Sequence, residues 1–170
     1  MRYESFYDLR QVTDELIFIK WYKTANAYTH LESEYIEDLR KRLTTSPHPL
    51  YFLSDLRKGR IIDISILQKL GNLTRHPNYG GGSAFSEDVI SSMFVGVFSK
   101  FASAEKGSSV FYKTIDEALA YLEALKPDVT APVDWQTFIG SLVWNIIIYS
   151  YWFKKALNLS AFCVKSVKLI

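Results

Sequence analysis

Leu50-Tyr51-Phe52-Leu53 is a run of four apolar residues that follows the helix-stopping segment Ser46-Pro47-His48-Pro49. A strand with one face in water alternates apolar and polar residues, and this run does not. It is typical of a strand buried on both faces, and such strands belong mostly to the interior of parallel sheets. The run therefore predicts a parallel sheet covered by helices.

Amphipathic helices are predicted on both sides of this strand. In residues 29–43 an apolar residue recurs every four positions and charged side chains cover the rest of the surface, which indicates a helix lying on a core. The recurring residues are Leu31, Tyr35, Leu39 and Leu43. A second helix is expected from about Asp63 to Leu73.

The segment before the first helix predicts a β-hairpin. Residues 3–8 and 15–23 are rich in β-branched and aromatic residues, and the polar segment Gln11-Val12-Thr13-Asp14 lies between them. We expect two antiparallel strands joined by this turn.

The remaining elements alternate strand and helix. A weak strand that contains Gly80-Gly81-Gly82 should end near Phe85, and Ser86 should cap a helix whose wide apolar face suggests deep burial. That face consists of Val89, Met93, Val97 and Phe101 in one row and Ile90, Phe94 and Phe98 in the next. Residues 110–112 form a further strand, and the capping box at 114–117 opens a last helix. The predicted order is ββαβαβαβα, ending near Lys126, with parallel pairing after the hairpin.

The charge distribution argues against nucleic-acid binding. Residues 1–126 contain 16 Lys and Arg against 16 Asp and Glu, so this region lacks the basic excess that phosphate contacts require. The single cysteine, Cys163, can form neither an internal disulfide nor a zinc site. The first eight residues lack the apolar core of a signal peptide, and together these features favour a cytoplasmic protein.

Residues 1–126 resemble the STAS domain of bacterial anti-sigma-factor antagonists, and especially the SpoIIAA-like group also called STAS/SEC14. The likeness rests on the element order and on three motifs. These are Leu53-Ser54-Asp55-Leu56 at a strand end, Leu70-Gly71-Asn72-Leu73 before His76-Pro77-Asn78, and residues 114–122 at the start of the last helix. The resemblance implies an α/β fold with a mixed sheet, and a regulatory or scaffolding interaction module rather than an enzyme.

The resemblance also suggests a phosphorylation switch at Ser65. In the antagonist proteins a serine at the start of a helix is phosphorylated, and Ser65 follows Asp55 at the matching spacing. A phosphate there would be stabilised by the helix dipole and free N–H groups. The alternative is that Asp63 is an ordinary N-cap and Ser65 an ordinary first-turn residue.

A polar ligand or partner could bind at the carboxyl end of the central strand, where open α/β sheets usually bind ligands. The candidates in that loop are Asp55, Arg57, Lys58 and Arg60, although a solvated charged loop explains them more readily. The histidines His30, His48 and His76 have no metal-ligand spacing and fall at helix starts and turns. We expect no catalytic residue, metal or cofactor.

The C-terminal segment 135–170, joined by a linker at 127–134, is apolar and then basic. The stretch from Trp135 to Phe153 contains no charged residue and is just long enough to span a bilayer. Asn145 in the middle of this stretch and the lysines that follow it disfavour spanning. An interfacial or re-entrant helix at the cytoplasmic face fits better. Packing on the domain or on a partner, and an extension from an altered reading frame, remain alternatives. The candidate contact residues are Trp135, Phe138, Trp144, Tyr151, Trp152, Lys154 and Lys155.

The sequence thus predicts a non-enzymatic interaction module that binds a protein partner and is held to a membrane or a larger complex by its C-terminal segment. The alternative function is a lipid- or small-ligand-binding domain. This alternative rests on the SEC14 association and on the broad apolar helix of residues 89–101.

Overall fold

A computed structural model of the chain describes residues 6–26, 31–102 and 110–139. The chain divides into two compact units, residues 1–132 and 133–170, and the boundary lies within the segment predicted as a linker. The first unit has the predicted element order. Its elements are β1 (Tyr7–Gln11), β2 (Leu16–Trp21), α1 (Leu31–Thr45), β3 (Leu50–Asp55), α2 (Ile64–Leu73), β4 (Tyr79–Phe85), α3 (Val89–Phe101), β5 (Val110–Tyr112) and α4 (Ile115–Leu125).

The five strands form one mixed sheet in the order β1-β2-β3-β4-β5. Strands β1 and β2 pair antiparallel as the predicted hairpin, and every later neighbour pair is parallel. Strand β3 lies in the centre, with Leu50 and Leu53 almost fully buried. The predicted α/β class, mixed sheet and parallel interior strand are confirmed.

Helices cover both faces of the sheet. On one face, residues of β2, β3 and β4 pack with α1, α2 and α3 in the main apolar core. On the other face, α4 packs across β3, β4 and β5 with Ala118 and Leu122 fully buried. The hydroxyl of Ser83 on β4 donates to the carbonyl oxygen of Ala118 at 3.0 Å and joins the two layers.

Strand β1 is displaced along the sequence from the predicted position. It spans Tyr7–Gln11 rather than residues 3–8, because Gln11 still pairs with Ile17 across the hairpin. The turn therefore lies after Gln11. It is stabilised by the hydroxyl oxygen of Thr13, which accepts from the backbone N–H groups of Glu15 (3.3 Å) and Leu16 (3.0 Å).

The glycine run forms a regular part of β4 after one irregularity. The pairing of β3 with β4 shifts between Leu50 and Tyr51, and Gly81 adopts a φ of 144° that side chains disfavour. A Cβ at Gly80 would lie 2.7 Å from the ring of Tyr51. The glycines thus allow a bulge and a close contact, and the strand ends at Phe85 as predicted.

Two predictions for α3 are wrong. Its N-cap is Asp88 rather than Ser86, because the Asp88 carboxylate accepts from the N–H groups of Ile90 (3.2 Å) and Ser91 (3.1 Å). The wide apolar face is not deeply buried either, since Val89 is 74% exposed and Met93 63%. The helix packs mainly on α2, and the three-residue edge strand β5 gives it little cover, so the first turn of α3 stays exposed.

The predicted capping box of α4 is confirmed, and the segment after this helix is fixed to it. The carboxylate of Glu123 accepts from the N–H groups of Asp128 (2.7 Å) and Thr130 (2.6 Å), and Val129 is 3% exposed. Residues 128–130 therefore belong to the first unit.

The second unit is described only over residues 133–139. Residues 135–139 form a helical turn, in which the carboxylate of Asp134 accepts from the N–H (3.2 Å) and the hydroxyl (2.7 Å) of Thr137. Within the described part of the chain, we find no helix with the length and apolar character needed to cross a membrane.

Candidate functional site

A cavity of about 130 Å³ lies between the sheet and the helices α1, α2 and α3. Most of its lining is apolar. The apolar wall comes from Ile19 and Trp21 on β2, Leu39 and Leu43 on α1, Phe52 on β3, Leu67 and Leu70 on α2, and Phe94, Val95 and Phe98 on α3. Many of these residues belong to the main core, and the space is partly open to the surface.

Small residues on the central strands leave this space open. Ser54 on β3 pairs with Ala84 on β4, and Gly82 lies two residues before Ala84 on the same side of the strand. Protein interiors are normally filled to crystal-like density, and a core position in such strands is usually occupied by a larger side chain. Three small residues under the helices therefore create a void that the sequence could have filled.

Aromatic rings build the two ends of the sheet face that borders the cavity. The rings of Phe52 and Tyr79 stack with centroids 5.6 Å apart and an angle of 15°. The rings of Trp21 and Tyr35 meet edge to face at 5.0 Å. Burial raises the pKa of Tyr35, so this phenol stays neutral. These rings offer flat apolar surfaces to a small ligand.

Arg60 is the one charged residue among those that line the cavity. It comes from the loop after β3, where its carbonyl oxygen accepts from the N–H of Ala25 at 2.7 Å and holds the loop beside the end of β2. The side chain is 18% exposed, and its Nη1 forms an ion pair with Asp88, the N-cap of α3. Nη1 is buried, and its contact with the Asp88 carboxylate lacks the geometry of a hydrogen bond to any described residue.

The other polar groups at the cavity differ in how fully they are bonded. The hydroxyl of Ser91 donates to Asp88 at 2.9 Å, and that of Thr74 donates to the carbonyl of Gly71 at 2.7 Å. The Ser54 hydroxyl has no hydrogen bond to any described residue. Arg60 and Ser54 are therefore two groups at the cavity that retain donors without an acceptor among the described residues.

The predicted loop site does not come together as one site. Asp55 is 2% exposed and binds Arg57 through two bonds, from Nε at 2.9 Å and from Nη2 at 2.8 Å. This pairing with Asp55 raises the pKa of Arg57. Asp55 and Arg57 thus stabilise the loop, Lys58 is exposed, and Arg60 alone of the predicted group reaches the cavity.

A buried lysine lies beside this pair. Lys20 on β2 is the register partner of Asp55 and is 3% exposed, and burial lowers its pKa while the Asp55 carboxylate opposes that shift. Its ammonium lies 5.7 Å from the centroid of the Tyr22 ring. Asp55 is therefore surrounded by two cations, which compensates the burial of its charge.

Ser65 is exposed in the first turn of α2, as predicted. The Asp63 carboxylate caps the helix by accepting from the N–H groups of Ser65 (2.7 Å) and Ile66 (3.3 Å). Hydrogen bonding to Ser65 lowers the pKa of Asp63. A phosphate on Ser65 would lie next to this carboxylate.

Exposed apolar side chains cluster at the edge of the sheet where α2 and α3 begin. Ile64 is 59% exposed in α2, and Ile90 is 54% exposed in α3 beside Val89 and Met93. Both helices follow parallel strands and pack on each other, so their first turns share this edge. We call Ile64, Val89, Ile90 and Met93 the apolar edge.

The predicted contact residues of the C-terminal segment fall mostly outside the described residues. Trp135 and Phe138 are described, and their rings meet edge to face at 5.5 Å. Trp144, Tyr151, Trp152, Lys154 and Lys155 lie outside the described part of the chain.

Comparisons with known proteins find similarity among the solved structures alone. No protein-family model matches the chain. No curated protein matches it either. The chain is similar to the crystal structure of an uncharacterized protein of the DUF3478 family from Shewanella loihica PV-4, described as having a SpoIIAA-like fold. The two share 13% sequence identity with a TM-score of 0.48, over 68% of this chain and 91% of the other.

Sequence reasoning missed the cavity. Its polar end did contain a predicted residue, Arg60, but in a group whose other members have different roles. A signal was present in Ser54, Gly82 and Ala84, three small residues in strands that were predicted to be interior. They could not be combined before the register of β3 with β4 was known.

Proposed function

We propose that residues 1–132 form a non-enzymatic domain that binds a small, largely apolar ligand in the cavity between the sheet and α1–α3. The observation that supports this most strongly is an apolar space of about 130 Å³ inside the core. An engineered apolar cavity of ~150 Å³ in another protein stays dry and takes up benzene. A ligand with about six to ten non-hydrogen atoms is therefore the size we expect, by the order of magnitude of that comparison.

A neutral probe tests this proposal without involving charge. Fluorobenzene should bind to the full chain with saturable shifts in its ¹⁹F NMR spectrum. Ala84→Leu should abolish binding because the larger side chain occupies the space beside Ser54. Ala124→Leu, which adds the same atoms to the exposed face of α4, is the matched control and should bind normally. Equal binding by wild type and Ala84→Leu would contradict the proposal.

Our second proposal is the regulatory or scaffolding interaction module suggested by the sequence. It is supported by the apolar edge, whose four large side chains are each more than half exposed; one of them, Ile64, precedes Ser65 in the first turn of α2, and the other three lie at the start of α3. Contiguous exposed apolar surface commonly marks a protein-interaction site. The partner would bring a matching apolar surface, and phosphorylation of Ser65 would alter its affinity.

A photo-crosslinking amino acid at position 93 tests this second proposal in cells. A defined partner should be captured from position 93, should be lost in Ile90→Lys, and should bind the purified protein more weakly when Ser65 is changed to Glu. The same amino acid at exposed position 124 is the control. If positions 93 and 124 capture the same proteins, the apolar edge is not a docking surface.

Attachment to a membrane through the C-terminal segment is a separate part of this proposal. It is supported by the uncharged stretch 135–153 and the lysines that follow. The full chain should float with vesicles that contain anionic lipids, and a chain ending at Pro132 should not. Equal behaviour of the two chains in the flotation gradient would rule it out.

A further inference from the structure

We infer that the ligand of the cavity is a small monocarboxylate, with an apolar body of about six carbon atoms and a carboxylate that binds Arg60 and Ser54. This inference rests on the proposed ligand-binding function and specifies the chemistry of the ligand. It is carried by the position of one arginine in an otherwise uncharged lining.

The polar end of the cavity is well defined by the fold. Ser54 is the penultimate residue of β3, and Ile19 and Ala84 flank it on the neighbouring strands. Arg60 follows in the loop that leaves β3 and is held beside Ala25. Both side chains therefore lie at the carboxyl end of the parallel strands, while the apolar wall extends along the strands away from them.

The chemistry of these two groups selects an acceptor with negative charge. A guanidinium has five N–H donors arranged in a fork that matches two carboxylate oxygens, and neither Nε nor Nη2 of Arg60 has a hydrogen bond to a described residue. Nη1 is buried and forms the ion pair with Asp88, so the donors of Arg60 that remain for a ligand are those of Nε and Nη2. The Ser54 hydroxyl adds a further donor.

The volume of the cavity and the single positive charge of its lining exclude phospholipids and phosphates as ligands. A space of about 130 Å³ holds a short chain or one aromatic ring, but not the acyl chains of a phospholipid. A phosphate would bring nearly two negative charges to a single guanidinium that already pairs with Asp88, whereas a carboxylate brings one. A short aliphatic acid and an aryl acid remain, and they share the same carboxylate chemistry.

Calorimetry with matched acids and alcohols tests this inference on the full chain. The probes are hexanoate and phenylacetate as acids, and hexanol and 2-phenylethanol as their neutral counterparts. Both acids should bind more tightly than their alcohols, and the tighter acid shows whether the apolar body is a chain or a ring. Arg60→Met should weaken the binding of the acids roughly ten- to a hundredfold and leave the alcohols within about twofold. Lys58→Met, in the same loop but exposed, is the matched control and should change neither.

A second variant keeps the test decisive if Arg60→Met disturbs the fold. Asp88→Asn retains an N-cap side chain for α3 but removes the carboxylate that competes for Arg60. This variant should bind the acids more tightly than wild type and should not change the binding of the alcohols. Acids and alcohols that bind equally in all variants would overturn the carboxylate inference and preserve the proposed function. Failure of both acids and alcohols to bind would overturn both.

Discussion

Carboxylates in this protein act mainly as anchors for the backbone. Asp63 and Asp88 cap α2 and α3, and Glu123 holds the segment that follows α4. Each of these side chains accepts from at least two backbone N–H groups. The acidic residues that could be mistaken for catalytic groups in the sequence therefore satisfy donors at helix ends and loops.

Glu123 should make the stability of the protein sensitive to acid. Hydrogen bonds from the Thr130 hydroxyl and from backbone N–H groups lower the pKa of Glu123 in the folded state. Its stabilisation is therefore complete above the unfolded pKa of about 4.3 and is lost as the pH falls through the lower folded value. Glu123→Gln should lower the free energy of unfolding by about 1 kcal/mol at pH 7, a value reduced by solvent screening. The same variant should flatten the loss of stability below about pH 4.3.

Urea denaturation at pH 7 and pH 3 measures both effects. Asp14→Asn is the control, because Asp14 is exposed and its carboxylate forms no hydrogen bond or ion pair with residues 6–26, 31–102 and 110–139. The control should follow wild type at both pH values. A Glu123→Gln variant with the same pH dependence as wild type would show that Glu123 is not the anchor of this segment.

The helices show what can be inferred from sequence and what cannot. Apolar periodicity and capping signals predicted all four helices, and the uninterrupted run at Leu50–Leu53 predicted the buried central strand. The burial of α3 was predicted wrongly, because a count of apolar residues on a helix does not reveal how wide the sheet beneath it is. The three-residue strand β5 leaves the first turn of α3 uncovered. Arg60 was selected as a ligand candidate from its position in the chain alone, and its place at a cavity depends on packing that no local pattern specifies.

The packing of α2 on α3 depends on a glycine. At Gly71 a Cβ would overlap the Cβ of Phe101 and lie 2.8 Å from its backbone carbonyl carbon, so α3 approaches α2 more closely than a side chain permits. Gly71→Ala should lower the free energy of unfolding by about 1–3 kcal/mol, because the backbone of α3 must move. Gly96→Ala is the matched control: nothing lies within 4 Å of its Cβ, and alanine should stabilise the helix by about 0.5–1 kcal/mol.

Thermal and urea denaturation of the two variants should thus show effects of opposite sign for the same chemical change. Gly71→Ala also bears on the cavity, since Phe94, Val95 and Phe98 of α3 form one of its walls. Two variants with equal stability would mean that α3 adjusts its position freely, and the wall of the cavity would then not be fixed by this contact.

At the scale of the whole molecule, the two units separate the fold from the C-terminal segment. The described core, the cavity and the apolar edge all belong to residues 1–132. A void inside the core forgoes dispersion contacts that a filled core would have. The domain must therefore obtain stability from the remaining layers, including the buried segment after α4.

The end point of a truncated chain should decide how stable the domain is. A chain that ends at Lys126 follows the sequence-based boundary, but it removes Val129 and Thr130, which are 3% and 6% exposed, and the groups bound by Glu123. We expect it to be less stable than a chain ending at Pro132 by about 2 kcal/mol or more, from the burial of one valine and the lost hydrogen bonds. Circular dichroism should show this as a melting temperature lower by several degrees.

Val129→Ala in the chain ending at Pro132 separates the two contributions. It should account for about 1 kcal/mol or more through the deleted methyl groups, and the hydrogen bonds of Glu123 should account for the rest. Equal melting temperatures of the chains ending at Lys126 and Pro132 would place the boundary of the folded unit at the end of α4. Residues 128–130 would then add no stability to the domain. The stability that offsets the open cavity would have to come from the two helical layers alone.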